Sequence, residues 1–391
     1  MSLLVVETHP VQYHAPVYRA LQNTHGIDVT VVYGSDFSVR GYRDKEFGSY
    51  FAWDSDLLEG YGTRFLSEVG KGGAPSFDAV DGKGLWRAIS GVNPKALLLP
   101  GYSGALYRKA ILLAPRLGCP LLFRAETTDH AAPRGAVKAW MRDRALDAFY
   151  SRCARLLYIG QRSRRHYERL GCPDDKLVFS PYCVDTGPFR CGEPERAEER
   201  AAGRAELNLA ESQIAVLFSG KISHRKGPDL LLEAARRLPA GIRERVVLVF
   251  LGDGELRAPL EEAARAEPAI AARWLGFRNQ RQLSRYYHAA DLAVLPSRQF
   301  ETWGLVVNEG LHHGLPCVVS EAVGCAPDLV LTGETGEIFE TGSAPSLAEA
   351  LQRVIRLAGS DETRERCRAR VSGYTVEAAA KGIAGAYRQV A

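Results

Sequence analysis

The chain has 391 residues, 46% hydrophobic and 25% charged, with 38 glycines and 20 prolines. That is too long for one ordinary core and points to two globular domains, each able to bury a substantial core. The net charge of +4 argues against a dedicated nucleic-acid binder but permits local basic patches that hold phosphate.

The N-terminal MSLLVVETHP holds an apolar strand but no basic leader and no long apolar stretch, so no signal peptide is expected. No run reaches the roughly 18 apolar residues of a membrane span. Short apolar runs then alternate with helical stretches: Leu3–Glu7, Val29–Tyr33, Ala96–Leu99, Pro120–Arg124 and Leu156–Ile159. Their near-continuous apolar character suits parallel strands covered on both faces. Residues 34–84 break this rhythm with Gly34, Gly41, Gly48, Gly60, Gly62, Gly70, Gly72 and Gly73 among several aromatics. That segment reads either as a functional irregular loop region or as a surface excursion without function.

The first half exits through Ser180-Pro181-Tyr182-Cys183-Val184-Asp185, and a polar stretch from Gly187 to Arg204 reads as a linker leading into a surface helix. The strand rhythm restarts with Ala215–Ser219, Val246–Leu251, Ala272–Leu275, Leu292–Leu295 and Cys317–Val319. Repeated βα units predict an α/β protein of two Rossmann-like, doubly wound domains. We place them at 1–186 and 187–373, with a C-terminal helix at 374–391 packing back on the first. Cys119, Cys153, Cys172, Cys183, Cys191, Cys317, Cys325 and Cys367 are scattered without a C-x-x-C pair. They read as buried thiols of a reducing cytoplasm, not as a zinc site or a disulfide framework.

The second half carries the chemistry. Ser219-Gly220-Lys221-Ile222-Ser223-His224-Arg225-Lys226-Gly227 follows a strand, and Pro228-Asp229 opens a helix. Gly220 allows close backbone approach, and Lys221, Arg225 and Lys226 crowd a helix N-terminus, which suits a diphosphate. As a lone cluster, a solvated basic turn would be the plainer reading. Gly252-Asp253-Gly254 is a tight turn at a sheet's carboxyl edge, where ligands of open α/β sheets sit. Glu301-Thr302-Trp303-Gly304-Leu305-Val306-Val307-Asn308-Glu309 places one carboxylate in a loop and the other a turn into a helix. The amides of Trp303, Gly304 and Leu305 face an anion there, and Glu309 can accept from the vicinal hydroxyls of a ribose.

In order and spacing these motifs resemble glycosyltransferase family 4: the basic loop, Gly-x-Gly, E-x(7)-E, then Gly314-Leu315-Pro316 and Gly324. The resemblance covers residues 214–330 almost throughout, and Pro181–Asp185 is similar to the family's exit from its first domain. It implies the GT-B fold, two domains facing across a cleft. It implies transfer from a nucleotide-diphosphate sugar, such as a UDP- or GDP-sugar, to an acceptor hydroxyl with retention of anomeric configuration. The acceptor would be a glycan, a lipid-linked glycan or a natural product. Lys221 stands where the family usually has Arg, which keeps the charge but loses a bidentate fork. With Lys226 it would bind the diphosphate. Glu309 matches the ribose-binding glutamate and Glu301 the glutamate on the transferred sugar. Gly220, Arg225, Gly252, Gly254 and Thr302–Leu305 complete the donor side, with the base near Leu275, Gly276 and Phe277. Lys226, Lys221 and Glu301 are the catalytic candidates.

The first half departs from the family. After strand one stands Thr8-His9-Pro10-Val11-Gln12-Tyr13-His14 instead of a Gly-rich loop, and His9, Gln12, Tyr13 and His14 read either as cleft residues or as ordinary surface or core groups. Arg124 and Glu126 occupy the place of a family His that faces the sugar. They read as a mutual ion pair, or Arg124 holds an anionic group of the acceptor. From Arg134 to Arg169 the chain is Arg-rich, with Trp140, Met141, Leu146, Phe149 and Tyr150 as an apolar stripe. An ordinary amphipathic helix is the preferred reading, peripheral membrane contact the other. Asp54-Ser55-Asp56 lies outside any clear βα unit, and His312-His313 cannot face one metal together. No metal and no cofactor is expected. Nucleic acid is not an expected partner, and the location is cytoplasmic, with the inner membrane face as the alternative. A nucleotide-sugar epimerase of the same architecture and a non-enzymatic sugar-nucleotide-binding regulator are the rival functions.

Overall fold

The computed structural model describes residues 2–43, 50–51, 56–130, 135–189 and 192–391; Gly48, Asp54, Ser55, Arg134 and Cys191 lie outside them. In chain order the first half supplies strands β1 (Ser2–Glu7), β2 (Asp28–Tyr33), the short pair β3 (Tyr42–Arg43) and β4 (Tyr50–Phe51), and β5 (Gly62–Phe65). It continues with β6 (Ala96–Leu99), β7 (Leu121–Phe123), β8 (Arg155–Tyr158) and β9 (Leu177–Phe179). Apart from the β3–β4 pair they form one parallel sheet in the order β5-β2-β1-β6-β7-β8-β9.

The second half supplies β10 (Ile214–Ser219), β11 (Val246–Leu251), β12 (Ala271–Gly276), β13 (Leu292–Leu295), β14 (Cys317–Ser320) and β15 (Gly336–Phe339), parallel in the order β12-β11-β10-β13-β14-β15. Each sheet reverses its strand order beside its first strand. The carboxyl ends of β1 and β6, and of β10 and β13, therefore open the two crevices where ligands of such sheets bind. The loops 8–14, 219–227 and 296–304 leave from those ends.

Burial explains which strands were visible in the sequence. Every residue of β10 and β11 is buried, and five of the six in β1. By contrast β5, Gly-Thr-Arg-Phe, alternates exposed and half-buried residues at an edge, and it lies inside the segment expected to be irregular. The other edge strand, β9, is short and only partly covered.

The chain crosses between the two bodies at residues 180–186 and returns near Tyr374. Helix Val376–Arg388 then buries Ala379, Ala380, Ile383, Ala384 and Tyr387 among Leu3, Val5 and Val29 of the first sheet and Leu21 of the helix Ala15–Asn23. A separate cluster joins the bodies, packing Ile159 and Tyr182 with Trp303, Val307, Leu311 and Val323. Asp328 reinforces it: both carboxylate oxygens accept from the amide of Gln161 (3.0 and 3.1 Å), and one accepts from Tyr374 Oη (2.9 Å). A side chain of the second body thus caps a helix of the first, Gln161–Arg169, behind a residue, Gly160, with no side chain to do so.

Two expectations need correction. Helix Ala136–Tyr150 does not carry one apolar stripe: Leu146, Phe149 and Tyr150 are buried, while Trp140 and Met141 are exposed with Val137. Trp140 and Phe149 are nine residues apart, half a turn out of phase at about 3.6 residues per turn. On the same helix Asp143 accepts from Arg169 (2.6 and 3.0 Å), which also binds Asp129. Among the thiols, Cys119 and Cys172 are only half-buried, while Cys153, Cys183, Cys317, Cys325 and Cys367 are buried. No helix among the described residues is long and apolar enough to cross a membrane.

Candidate active site

Gly220, at φ 142°, has open space where a side chain would stand, so the chain can be approached closely there. The two glycines of the next turn act differently. A Cβ on Gly252 would run into the carbonyl of Gly220, and one on Gly254 into that of Ile222. Their smallness lets the Gly-Asp-Gly turn press against the basic loop, and the bonds Gly220 N→Leu251 O and Ile222 N→Asp253 O (both 2.9 Å) hold the contact. The Lys221 carbonyl accepts from the Ser223 amide at 2.9 Å. The buried hydroxyl of Ser223, which the sequence did not single out, has no hydrogen-bond partner among the described residues. On the far side Gly276 ends β12 and accepts from Gly252 N at 3.0 Å, with the half-buried Leu275 before it and Phe277 after it.

The basic loop meets the E-x(7)-E segment directly. Lys226 Nζ stands 2.5 Å from Glu301 Oε2, and Ser297 Oγ donates to the same oxygen at 2.7 Å. Glu301 is buried, which raises its carboxyl, but Lys226, Ser297 and Arg225 outweigh burial and hold it below the usual carboxylate range. Arg225 donates to the Phe300 carbonyl at 3.4 Å. Gly304 precedes the helix Leu305–His312, on which Glu309 sits one turn in. Glu309 Oε2 accepts from the fully buried Tyr287 hydroxyl at 2.6 Å. Burial first and Glu309 second push that phenol far above its ordinary range, so it stays a donor. Trp303 does not face the donor side with its ring. It is buried between Tyr182 (6.5 Å) and Tyr374 (5.7 Å), and its Nε1 donates to Asn308 Oδ1 at 2.8 Å.

Across the cleft, Glu126 accepts a short hydrogen bond from Thr302 Oγ1, linking the two bodies. The expected Arg124–Glu126 pair does not form. Arg124 instead donates to Ser180 Oγ (2.9 Å), Ser180 O (3.3 Å) and Pro181 O (2.6 Å). The chain leaves β9 there, and its carbonyls have no neighbouring strand to bond. Tyr13 is half-buried; its hydroxyl is pushed above its usual range by burial and then by Glu309, with Glu126 and Glu301 adding to the effect. Its ring lies 6.3 Å from that of Tyr182. His14 Nδ1 is 2.5 Å from the buried Glu7 Oε1, whose other oxygen accepts from Tyr18 Oη at 3.1 Å. Gln12 is buried beside them. His9 is turned away: it packs 4.5 Å from Phe37, and burial holds it down to about 4. A cavity of about 250 Å³ opens among His14, Gly101–Ser103, Arg124–Thr127, Ile159 and Tyr182.

Beneath Glu309, His313 is buried, with Nδ1 2.7 Å from the Glu309 carbonyl and Nε2 2.8 Å from Ser284 Oγ. Burial and then His288 hold it down to about 3. The folded chain therefore keeps His313 neutral while the unfolded chain takes up a proton below about pH 6.5. Stability is fully present above that pH and falls as pH drops towards 3, because the unfolded state binds more protons. Between pH 6.5 and 5 this one residue should cost about 2 kcal/mol. Urea melts across that window should show a shallower pH slope for His313→Gln, and an unchanged slope would contradict the assignment.

Residues 199–372 match the family model described as Glycosyl transferases group 1. The chain is 34% identical over 202 residues to a D-inositol 3-phosphate glycosyltransferase of Geodermatophilus obscurus, covering 49% of this chain and 43% of that protein. It is 34% identical over 220 residues to the protein of the same name in Segniliparus rotundus, covering 54% and 47%. The chain spans less than half the length of these relatives. Among solved structures it is similar to Anabaena HepE in complex with UDP, with a TM-score of 0.72, 16% identity and full coverage of both chains. It is also similar to the lipopolysaccharide outer core galactosyltransferase WaaB, with a TM-score of 0.68, 13% identity and coverage of 100% and 99%. The two facing parallel-sheet bodies are thus the GT-B fold. The likeness to the group 1 glycosyltransferases lies in residues 199–372.

Proposed function

We propose that the chain is a glycosyltransferase that moves a sugar from a nucleotide-diphosphate donor to an acceptor hydroxyl with retention, the donor lying on the second body. The observation that carries this reading is the joining of Lys226, Ser297 and Glu301 at the mouth of a helix whose next turn presents Glu309. Gly220 gives the diphosphate room, and Lys221, Arg225 and Lys226 supply its counter-charge without a metal. Glu309 takes the ribose hydroxyls, oriented by Tyr287. Glu301 faces the sugar, and the acceptor enters from the first body. As the acceptor oxygen bonds the anomeric carbon, the bond to the phosphate oxygen breaks and its electron pair stays on the diphosphate. The acceptor proton passes to that phosphate on the same face. Closure keeps out the water that would hydrolyse the donor. The five buried thiols among the described residues suit a cytoplasmic location.

UDP is the first nucleotide to test, because it is what HepE holds. Calorimetry in EDTA should show UDP binding, with GDP and ADP as comparisons. Glu309→Ala should weaken it by about 1.5–3 kcal/mol, through loss of a charged acceptor. Unchanged affinity in the folded variant would remove Glu309 from the site. Binding that needs magnesium or manganese would overturn the metal-free reading.

A further inference from the structure

We propose that the acceptor is an uncharged, hydroxyl-rich molecule, a free polyol or sugar instead of its phosphate ester. It would be held in the cavity of the first body by His14, with Glu7 as the residue that positions His14. This rests on the glycosyltransferase reading and narrows it to a class of acceptor.

The charges around the cavity carry the argument. Among the described residues of its lining, Arg124 is the one cation apart from any charge on His14. It is 5% exposed, lies 5.7 Å from the Tyr182 ring, and gives its Nε and one Nη to Ser180 and Pro181. Glu126 lines the same space as a carboxylate and is already oriented by Thr302. A second carboxylate, Glu7, stands directly behind His14 and is 1% exposed. A phosphate dianion in this cavity would meet two carboxylates, against one guanidinium whose Nε and one Nη are already given to Ser180 and Pro181.

Hydroxyl groups fit the same surface. A carboxylate is an acceptor only, so Glu126 suits a donor hydroxyl. With Nδ1 2.5 Å from Glu7, the carboxylate selects the ring form protonated on that nitrogen. Nε2 bonds to no other described residue, and a hydroxyl, which both donates and accepts, can meet it. Tyr18, donating to the second oxygen of Glu7, fixes the carboxylate from the far side. Ser103 and Thr127, in the same lining, can both donate and accept. Among the described residues the cavity therefore offers acceptors for sugar hydroxyls and one guanidinium, already bonded to Ser180 and Pro181.

The test uses the full chain with histidines labelled with ¹⁵N, with and without saturating UDP. The His14 Nε2 resonance is identified by its loss in His14→Asn. The probes are myo-inositol, glucose, inositol 3-phosphate and inorganic phosphate. The neutral probes should shift the resonance at concentrations at least tenfold below those needed for either phosphate probe. Glu7→Gln should weaken the polyol response severalfold and leave UDP affinity unchanged. If that variant fails to fold, Glu126→Gln serves instead, and it should narrow the gap between neutral and phosphorylated probes. Phosphate probes acting first, or no probe acting, would overturn the proposal. Calorimetry with UDP on the same sample keeps the two readings apart. Loss of UDP binding counts against the glycosyltransferase reading, whereas intact UDP binding with a phosphate-preferring cavity counts only against this acceptor class.

Discussion

Lys226→Ala should lower kcat by about 10²–10³ at saturating donor, the usual cost of removing one charge-assisted donor to a developing oxyanion. The ammonium sits in the loop before a helix N-terminus and touches Glu301 at 2.5 Å. On the proposed reading, a nucleotide sugar entering there would bring its diphosphate to a cation already held in place. Charge on that diphosphate grows as the sugar leaves, so the contact strengthens towards the transition state. Turnover should then fall more than donor affinity. The pairing adds a second effect. Without Lys226 the Glu301 carboxylate is buried with only Ser297 and the more distant Arg225 to offset it. Lys226→Ala/Glu301→Gln should therefore recover some stability but no rate. Lys226→Arg keeps the charge in a different shape and should recover the rate only in part. Arg225→Ala should be milder. A near-normal kcat for Lys226→Ala would show a solvated turn residue.

Trp303→Ala should destabilise the chain by about 3–5 kcal/mol, the usual range for emptying a buried indole site. The ring is 2% exposed and is wedged where the two bodies meet, against Tyr182, Tyr374 and the bare backbone of Gly160. Little can collapse into its place, because the partners belong to different bodies. Trp303→Phe should keep most of the packing but strand Asn308 Oδ1, at a cost of about 1–3 kcal/mol. Urea unfolding followed by far-ultraviolet circular dichroism measures both. A loss under about 1 kcal/mol for the alanine variant would mean that the wedge is dispensable.

What could be read from the sequence follows from how far apart the interacting groups lie along the chain. Strands β1, β2, β6, β10 and β11 were legible because burial on both faces leaves continuous apolar runs. The edge strands β5 and β9 leave only four and three residues, partly wet, with no pattern to detect. The cluster proposed as the donor side could be picked out because its charges lie close together between 220 and 309. Ser297 and Tyr287, which orient those glutamates, are a common serine and a core tyrosine with no signal of their own. The first body was read less well for the same reason. Arg124 finds its partners 56 and 57 residues on, and Glu126 finds Thr302 176 residues on. No local spacing announces such pairs, so the adjacent Arg124 and Glu126 were read as each other's partner. Glu7 looked like the end of an apolar strand, and only the fold reveals it behind His14.

The return of helix Val376–Arg388 to the first sheet has a consequence for the order in which the molecule is made. Ala379, Ile383 and Tyr387 fill the core that Leu3, Val5 and Val29 begin. On the ribosome, the first body therefore waits for a helix translated after the second body, and meanwhile keeps an apolar face uncovered. The second body, enclosed between the two crossings, has all of its strands through β15 before that helix emerges. Assembly of this chain thus runs against the usual order, in which the N-terminal body of a growing polypeptide closes first.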